Sequence, residues 1–70
     1  MADRLVSVTP AIKAHPLWEG SAEQTAFLYG GVRQSHLIQM LNRKRGCFDL
    51  TANERSWIAL WIEALEGSQS

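Results

Sequence analysis

The order of apolar and polar residues divides the chain into an N-terminal extended segment followed by helices. Residues 5–9 alternate briefly and are rich in β-branched side chains, which is typical of a strand or an extended arm, and we assign the arm to residues 1–9. Thr9 and Pro10 form a helix start, with Thr9 as the N-cap and Pro10 at the first helical position. Pro16 interrupts any helix that begins there, so the sequence predicts a single turn.

A capping box and two adjacent glycines delimit the next helix. Ser21 stands three residues before Gln24, so its hydroxyl can accept from the N3 amide while the glutamine side chain reaches back to the N-cap amide. Gly30 and Gly31 should end this helix, because glycine readily supplies a left-handed turn. A second helix is expected to follow, which makes 21–45 a pair of helices joined by a turn.

The last predicted helix begins with a second capping box, Thr51 to Glu54, and covers residues 51–66, with its end near Leu65 before Gly67. Its apolar residues span an arc of about 200°, whereas a core-facing stripe needs little more than about 100°. These apolar residues are Trp57, Ile58, Leu60, Trp61, Ile62, Ala64 and Leu65.

Such a wide arc is more than one face of a small core uses. We therefore expect a second chain to cover part of it, in a two-fold homodimer with the tryptophans as anchors. The expected interface residues are Trp57, Leu60, Trp61 and Ala64. The alternative is a helix sunk deeply in a tiny core, with Leu17, Trp18 and Phe48 packed around it.

Length and composition indicate one small folded domain, 1–70. The chain has 70 residues, of which 46% are apolar, and seven Lys and Arg balance seven Asp and Glu. Association is the favoured source of extra stability, because the single cysteine, Cys47, forbids an internal disulfide, and His15 and His36 are too far apart for a zinc finger. No apolar run is long enough to cross a bilayer, and we expect a cytoplasmic protein.

The helix expected over 34–45 has an apolar and a polar side. Its apolar side carries Leu37, Ile38, Met40 and Leu41. Residues 33–45 contain four cations and no anion, so the neutral total hides a basic segment whose polar groups suit base edges and phosphates. The candidate DNA-binding residues are Arg33, Gln34, Ser35, His36, Gln39, Asn42, Arg43, Lys44 and Arg45. The alternative is a solvated face whose cations only complement the helix dipole.

The turn between the two central helices carries a motif. It consists of a glycine, an aliphatic residue and three polar residues, in the run Gly31-Val32-Arg33-Gln34-Ser35. Apolar or small positions of the flanking helices are filled by Ala26, Leu37 and Met40. Over residues 24–41 the chain thereby resembles the helix-turn-helix of Cro and related small phage-type repressors. It departs at Phe27, where the family has a small residue that lets the helices approach, and at Gly30, where leucine is usual.

The resemblance implies a fold and a set of roles. We expect an all-α domain with a helix-turn-helix-like pair, a C-terminal amphipathic helix and a short extended N-terminal arm. The second helix of the pair would lie in the major groove, where Gln34, Ser35 and Gln39 read bases. His36 and Arg43 would add contacts to bases or phosphates.

Signals for catalysis are absent from the sequence. The carboxylates are scattered rather than paired, and no glycine-rich phosphate loop is present. Cys47, beside Phe48 at a helix end, is expected to be a small buried or half-buried thiol. We expect no enzyme, no cofactor and no metal.

Two functions are therefore expected. The leading one is a dimeric, sequence-specific transcriptional regulator of the Cro type that binds double-stranded DNA. The alternative is a small phage-type inhibitor or adaptor that blocks a larger host protein through its tryptophan-rich helix or its basic helix.

Overall fold

The structure, a computed structural model, describes residues 4–69, and it is mostly helical with one small sheet. The elements in chain order are β1 (Leu5–Val6), α1 (Pro10–Lys13), α2 (Ala22–Leu28), β2 (Val32–Arg33), α3 (Gln34–Arg45) and α4 (Ala52–Gln69). The predicted helices are all found. The β1–β2 ladder was not predicted, so "all-α" describes the fold only coarsely.

The predicted extended arm contributes only Leu5–Val6 to this two-stranded antiparallel sheet. Val6 pairs with Val32, and both side chains are buried, whereas Leu5 pairs with Arg33 and both are exposed. Because neighbouring residues of a strand point to opposite faces, the sheet turns one face to the core. The part of the predicted arm before Arg4 lies outside the described residues.

The predicted N-caps form, with one difference in the second. The Thr9 hydroxyl accepts from the Ile12 N–H at 3.3 Å, and the Ser21 hydroxyl accepts from the Gln24 N–H at 3.1 Å. The Gln24 side chain, however, accepts from the N–H of Gly20 at 2.7 Å instead of from the N-cap amide. The Ser21 amide is occupied by a backbone bond of the preceding turn.

The two glycines end α2 as predicted. Gly30 N–H donates to the Phe27 carbonyl at 3.4 Å and Gly31 N–H to the Ala26 carbonyl at 3.0 Å, the pair of bonds that defines a Schellman motif. Their φ angles are 135° and 123°, which side-chain-bearing residues rarely adopt. A Cβ at Gly31 would lie 3.1 Å from the Leu5 side chain, so this glycine also permits the approach of β1.

Helix α4 starts as predicted and ends later. The Thr51 hydroxyl accepts from the Glu54 N–H at 3.1 Å, and a Glu54 carboxylate oxygen accepts from the Thr51 N–H at 3.3 Å. The predicted end near Leu65 is wrong, because α4 continues through Gly67 to Gln69. A single glycine costs a helix only about 1 kcal/mol relative to alanine, which is not enough to end it.

Three tryptophans form the centre of the core. The ring centroids of Trp57 and Trp61 lie 5.5 Å apart at an interplanar angle of 88°, and Trp18 lies 6.5 Å from each. The buried core residues are Val6, Ile12, Trp18, Val32, Leu37, Trp57, Trp61 and Ala64. Because a tryptophan buries roughly 150–250 Å², such a small core depends on enclosing these rings.

The prediction that the tryptophan face of α4 meets another chain is therefore wrong. Trp61 is completely buried, Trp57 and Ala64 are buried, and Leu60 is partly buried against the same core. The alternative of a deeply sunk helix is correct for these residues, and Leu17 and Trp18 pack there as that alternative requires.

Three other predicted placements are also wrong. Phe48, which the alternative of a deeply sunk helix packs around α4, is 100% exposed, and Cys47 is exposed instead of buried or half-buried, because both stand in the loop that leaves α3. Ile38, predicted on the apolar side of α3, is 42% exposed. On the apolar side of α3, the residues that contact the core are Leu37 and Met40, and they lie away from Ile38 around the helix.

Candidate nucleic-acid interface

The sheet fixes the start of α3. β2 runs directly into the helix, with Arg33 as an extended N-cap that makes no side-chain capping bond. The first helical amide, that of Gln34, donates to the backbone carbonyl of Arg4 at 2.8 Å. The carbonyl of the residue before β1 thus satisfies an amide that the helix itself leaves unpaired, and the strand pairing sets where α3 begins.

The inner side of α3 anchors the helix to α4. Leu37 is fully buried, and Met40 packs against the core. Lys44 Nζ donates to Glu54 Oε2 at 3.0 Å, which joins the last turn of α3 to the first turn of α4. This bond with Lys44, followed by the backbone bond from Thr51, lowers the pKa of the Glu54 carboxyl below its ordinary 4.5.

The outer side of α3 is exposed along the helix. Ser35, Gln39 and Asn42 follow one another at spacings of four and three residues, so they stand on one line along the helix. Ile38 and Arg43 flank this line and are also exposed. We call these five residues the outer face of α3. It contains two amide side chains, a hydroxyl, a cation and no carboxylate.

His36 stands at the edge of this face and turns toward α2. Its Nε2 lies 3.3 Å from Oε1 of Glu23, and the Glu23 side chain is buried. The contact joins α2 to α3 and takes a carboxylate off the surface beside the outer face. His36 remains half-exposed, so its ring edge borders the face.

The nine predicted DNA-binding residues thus fall into three groups. Four of them, Ser35, Gln39, Asn42 and Arg43, lie on the outer face. Arg33, Gln34 and His36 border the start of the helix, and Arg45 is exposed at its end. Lys44 faces α4 and is engaged by Glu54.

Two exposed apolar residues near α3 were missed by the sequence analysis. Tyr29 is 87% exposed and Leu28 is 76% exposed, at the end of α2. The sequence contained a signal for this exposure, because both residues stand directly before the two glycines, at positions that a Schellman turn leaves exposed to solvent. Ile38 was assigned to the wrong side of α3 for a different reason, because the polar face of that helix was predicted to be narrower than it is.

The connection between α2 and α3 differs from the expected turn. Five residues, 29–33, separate the helices, and the last two are β2, whereas a helix-turn-helix uses about three or four. Phe27 packs edge-on against Trp18 at 6.0 Å, with Lys13 Nζ 4.9 Å from its ring centroid. The bulk of Phe27 is thereby accommodated on the α1 side of α2.

Within 4–69, no group of three or more His, Cys, Asp or Glu side chains is placed to hold a metal ion. None of the helices in that part of the chain combines the length and apolarity that a bilayer crossing requires.

Comparison with protein-family models, with curated proteins and with solved structures gives no match to this chain.

Proposed function

We propose that this protein is a sequence-specific DNA-binding transcriptional regulator, which presents the outer face of α3 to the major groove and acts as a dimer in the cytoplasm. It would work by occupying an operator and not by chemistry.

The dimensions of α3 support this proposal. Its 12 residues form a rod of about 18 Å, and the major groove of B-DNA, roughly 12 Å wide, admits a helix. Gln39 and Asn42 carry the amide groups that pair with adenine, and Ile38 can contact a thymine methyl. Ser35 lies one turn before Gln39 and extends the same line toward the start of the helix.

The distribution of charge supports it as well. Arg43 is exposed on the outer face, and Arg33 is exposed where β2 meets α3. The nearest acidic side chain of α2, Glu23, is buried against His36. Cations are thus available to phosphates on both sides of the reading residues, as a DNA-binding surface requires.

The single observation that carries the proposal is the exposure of the outer face of α3, from Ser35 to Arg43, without any carboxylate. A helix that served only to fill the core would not need to keep this surface open and basic.

Selection from a pool of random duplexes tests the proposal. The wild type should enrich one sequence, and Gln39→Ala should lose about 1–3 kcal/mol of discrimination at one base pair of it. Asn53→Ala, which removes an exposed amide from α4 instead, should select the wild-type sequence with unchanged affinity. Enrichment of no sequence, or an unchanged preference in Gln39→Ala, would contradict direct reading by α3.

Exposed apolar residues favour a second candidate function, the binding of a larger protein. Leu28 and Tyr29 are exposed at the end of α2, and Leu5 is exposed against Gly31. If the duplex selection fails and Tyr29→Ser abolishes capture of a protein from nuclease-treated lysate, this alternative replaces the first. Its surface is then the turn before α3 and not the tryptophans, which are buried.

A further inference from the structure

A groove of about 450 Å³ lies between the end of α3, the loop that follows it and α4. Its apolar lining consists of Leu41, Leu50, Ile58, Ile62 and Leu65. Polar side chains at its border are Lys44, Arg45, Cys47, Arg55 and Glu66. This is the part of the wide apolar arc of α4 that the tryptophan core does not use.

Cations outnumber carboxylates at the border of the groove, with Lys44, Arg45 and Arg55 against Glu66. Lys44 is bound by Glu54, but neither Arg45 nor Arg55 forms an ion pair within residues 4–69. Both arginines are exposed. An occupant that suits this groove therefore combines an apolar group with an adjacent anion.

The loop at the edge of the groove presents that combination. Cys47 and Leu50 line the groove, and between them stand Phe48, which is 100% exposed, and Asp49, which is also exposed. Moving a fully solvent-exposed phenyl ring into an apolar groove is favourable, because it removes apolar surface from water. Phe48 and Asp49 thus offer a ring followed by a carboxylate, beside a groove whose apolar lining is aliphatic and whose border carries more cations than carboxylates.

We propose that the groove is occupied by Phe48 of a second copy of this chain, with Asp49 of that copy set against the arginines of the border. Donor and acceptor belong to the same patch, so the contact is made twice around a two-fold axis and closes at a dimer. The inference extends the proposed function by assigning its dimer interface, and it depends on that function only for the biological use of the dimer.

This interface engages Arg45 but leaves the outer face of α3 uncovered. The groove uses the side of α3 that carries Leu41 and Lys44, which faces α4. Gln39 and Asn42 stand on the outer face and do not line the groove. A dimer can therefore present two copies of the outer face.

Sedimentation equilibrium of the full chain, without DNA, tests the interface. The wild type should approach twice 7.9 kDa with rising concentration. Phe48→Ala should raise the dimer dissociation constant about a hundredfold, roughly tenfold for each of the two rings withdrawn. Leu28→Ala, which truncates an exposed apolar residue outside the groove, is the matched control and should leave the constant unchanged. Phe48 is fully exposed, so its truncation should not disturb the fold, and far-UV circular dichroism checks this.

A mixing experiment tests the reciprocal exchange itself. Ile62→Asp places a carboxylate in the apolar lining of the groove but keeps the phenyl ring of Phe48, whereas Phe48→Ala keeps the groove intact and removes the ring. Each variant alone should be largely monomeric, and an equimolar mixture should associate more tightly than either, because one ring then finds one intact groove.

Three results would overturn the interface: a wild type that stays at 7.9 kDa up to millimolar concentration, a dimer that Phe48→Ala does not weaken, or a dimer that Leu28→Ala weakens as much. Each would assign the groove to another occupant, such as an amphipathic anion or a different protein. The proposed function is separable, since DNA binding that is lost in Arg43→Ala would stand even for a monomer.

Discussion

His15 joins the turn after α1 to helix α4 through both ring nitrogens. Nδ1 accepts from the Leu17 N–H at 3.1 Å, and Nε2 lies 2.8 Å from the Ser56 hydroxyl. That hydroxyl donates to the Asn53 carbonyl at 3.0 Å, so the network assigns the proton of a neutral His15 to Nε2, which donates to Ser56. The ring also lies 5.1 Å from that of Trp57.

Truncating His15 should therefore destabilise the whole domain. His15→Ala leaves the Leu17 amide without its acceptor, and we expect the free energy of unfolding in urea to fall by about 1–3 kcal/mol. His15→Asn places an oxygen near the position of Nδ1 and should recover part of this loss. Equal losses in the two variants would show that the bond to Leu17 contributes nothing.

At the scale of elements, the helix starts and the stop of α2 were predictable from the sequence, whereas the stop of α4 and the pairing of the strands were not. The caps at Thr9, Ser21 and Thr51 and the stop at Gly30 depend on side chains within a few residues of one another, so the local sequence contains the whole signal. The ladder between β1 and β2 joins two-residue strands that have no periodic signal of their own.

The contact between α3 and α4 shows a similar limit. Lys44 was assigned to DNA because it lies in a basic segment, and nothing in the sequence places it beside Glu54, ten residues away. Only the packing of the two helices brings Lys44 Nζ within 3.0 Å of that carboxylate. The four polar residues of the outer face, in contrast, were predicted from helical spacing and are exposed, whereas Ile38 was placed on the apolar side.

This ion pair makes stability depend on pH in a defined direction. The pKa of Glu54 is lowered in the folded chain, chiefly by the bond to Lys44. Just below pH 4.5 the unfolded chain therefore binds more protons, so the contribution is present above that pH and is lost as the pH falls through the folded pKa.

Glu54→Gln tests this dependence. The difference in unfolding free energy between wild type and variant should be largest above pH 4.5 and should shrink as the pH falls, measured by urea denaturation across pH 2.5 to 6.5, a span of about two units either side of the ordinary value. Glu63→Gln removes an exposed carboxylate of the same helix that forms no ion pair within residues 4–69, and it should lower the free energy of unfolding above pH 4.5 less than Glu54→Gln does. A difference that stays constant with pH would contradict the account.

At the scale of the whole molecule, the apolar arc of α4 is shared between two environments. The sequence showed that the arc was too wide for one face, but it could not show which half would enter the core. Trp57 and Trp61, which cluster with Trp18, supply more buried surface than Ile58, Ile62 and Leu65 do. Their rings therefore lie at the centre of the core, and the aliphatic half of the arc borders the groove. The formal net charge of zero likewise concealed a separation of charge between two helices. Helix α3 has no acidic residue, whereas α4 exposes Glu63 and Glu66.

The central claim is that the outer face of α3 binds duplex DNA, and the salt dependence of that binding tests it most directly. Fluorescence anisotropy with the selected duplex should show an affinity that falls steeply with salt, and Arg43→Ala should weaken binding and reduce the logarithmic slope by about 1. Lys13→Ala changes the net charge equally but lies on α1, so its affinity and slope should match the wild type. Failure to bind any duplex at micromolar protein in low salt, or equal losses in the two variants, would contradict the claim.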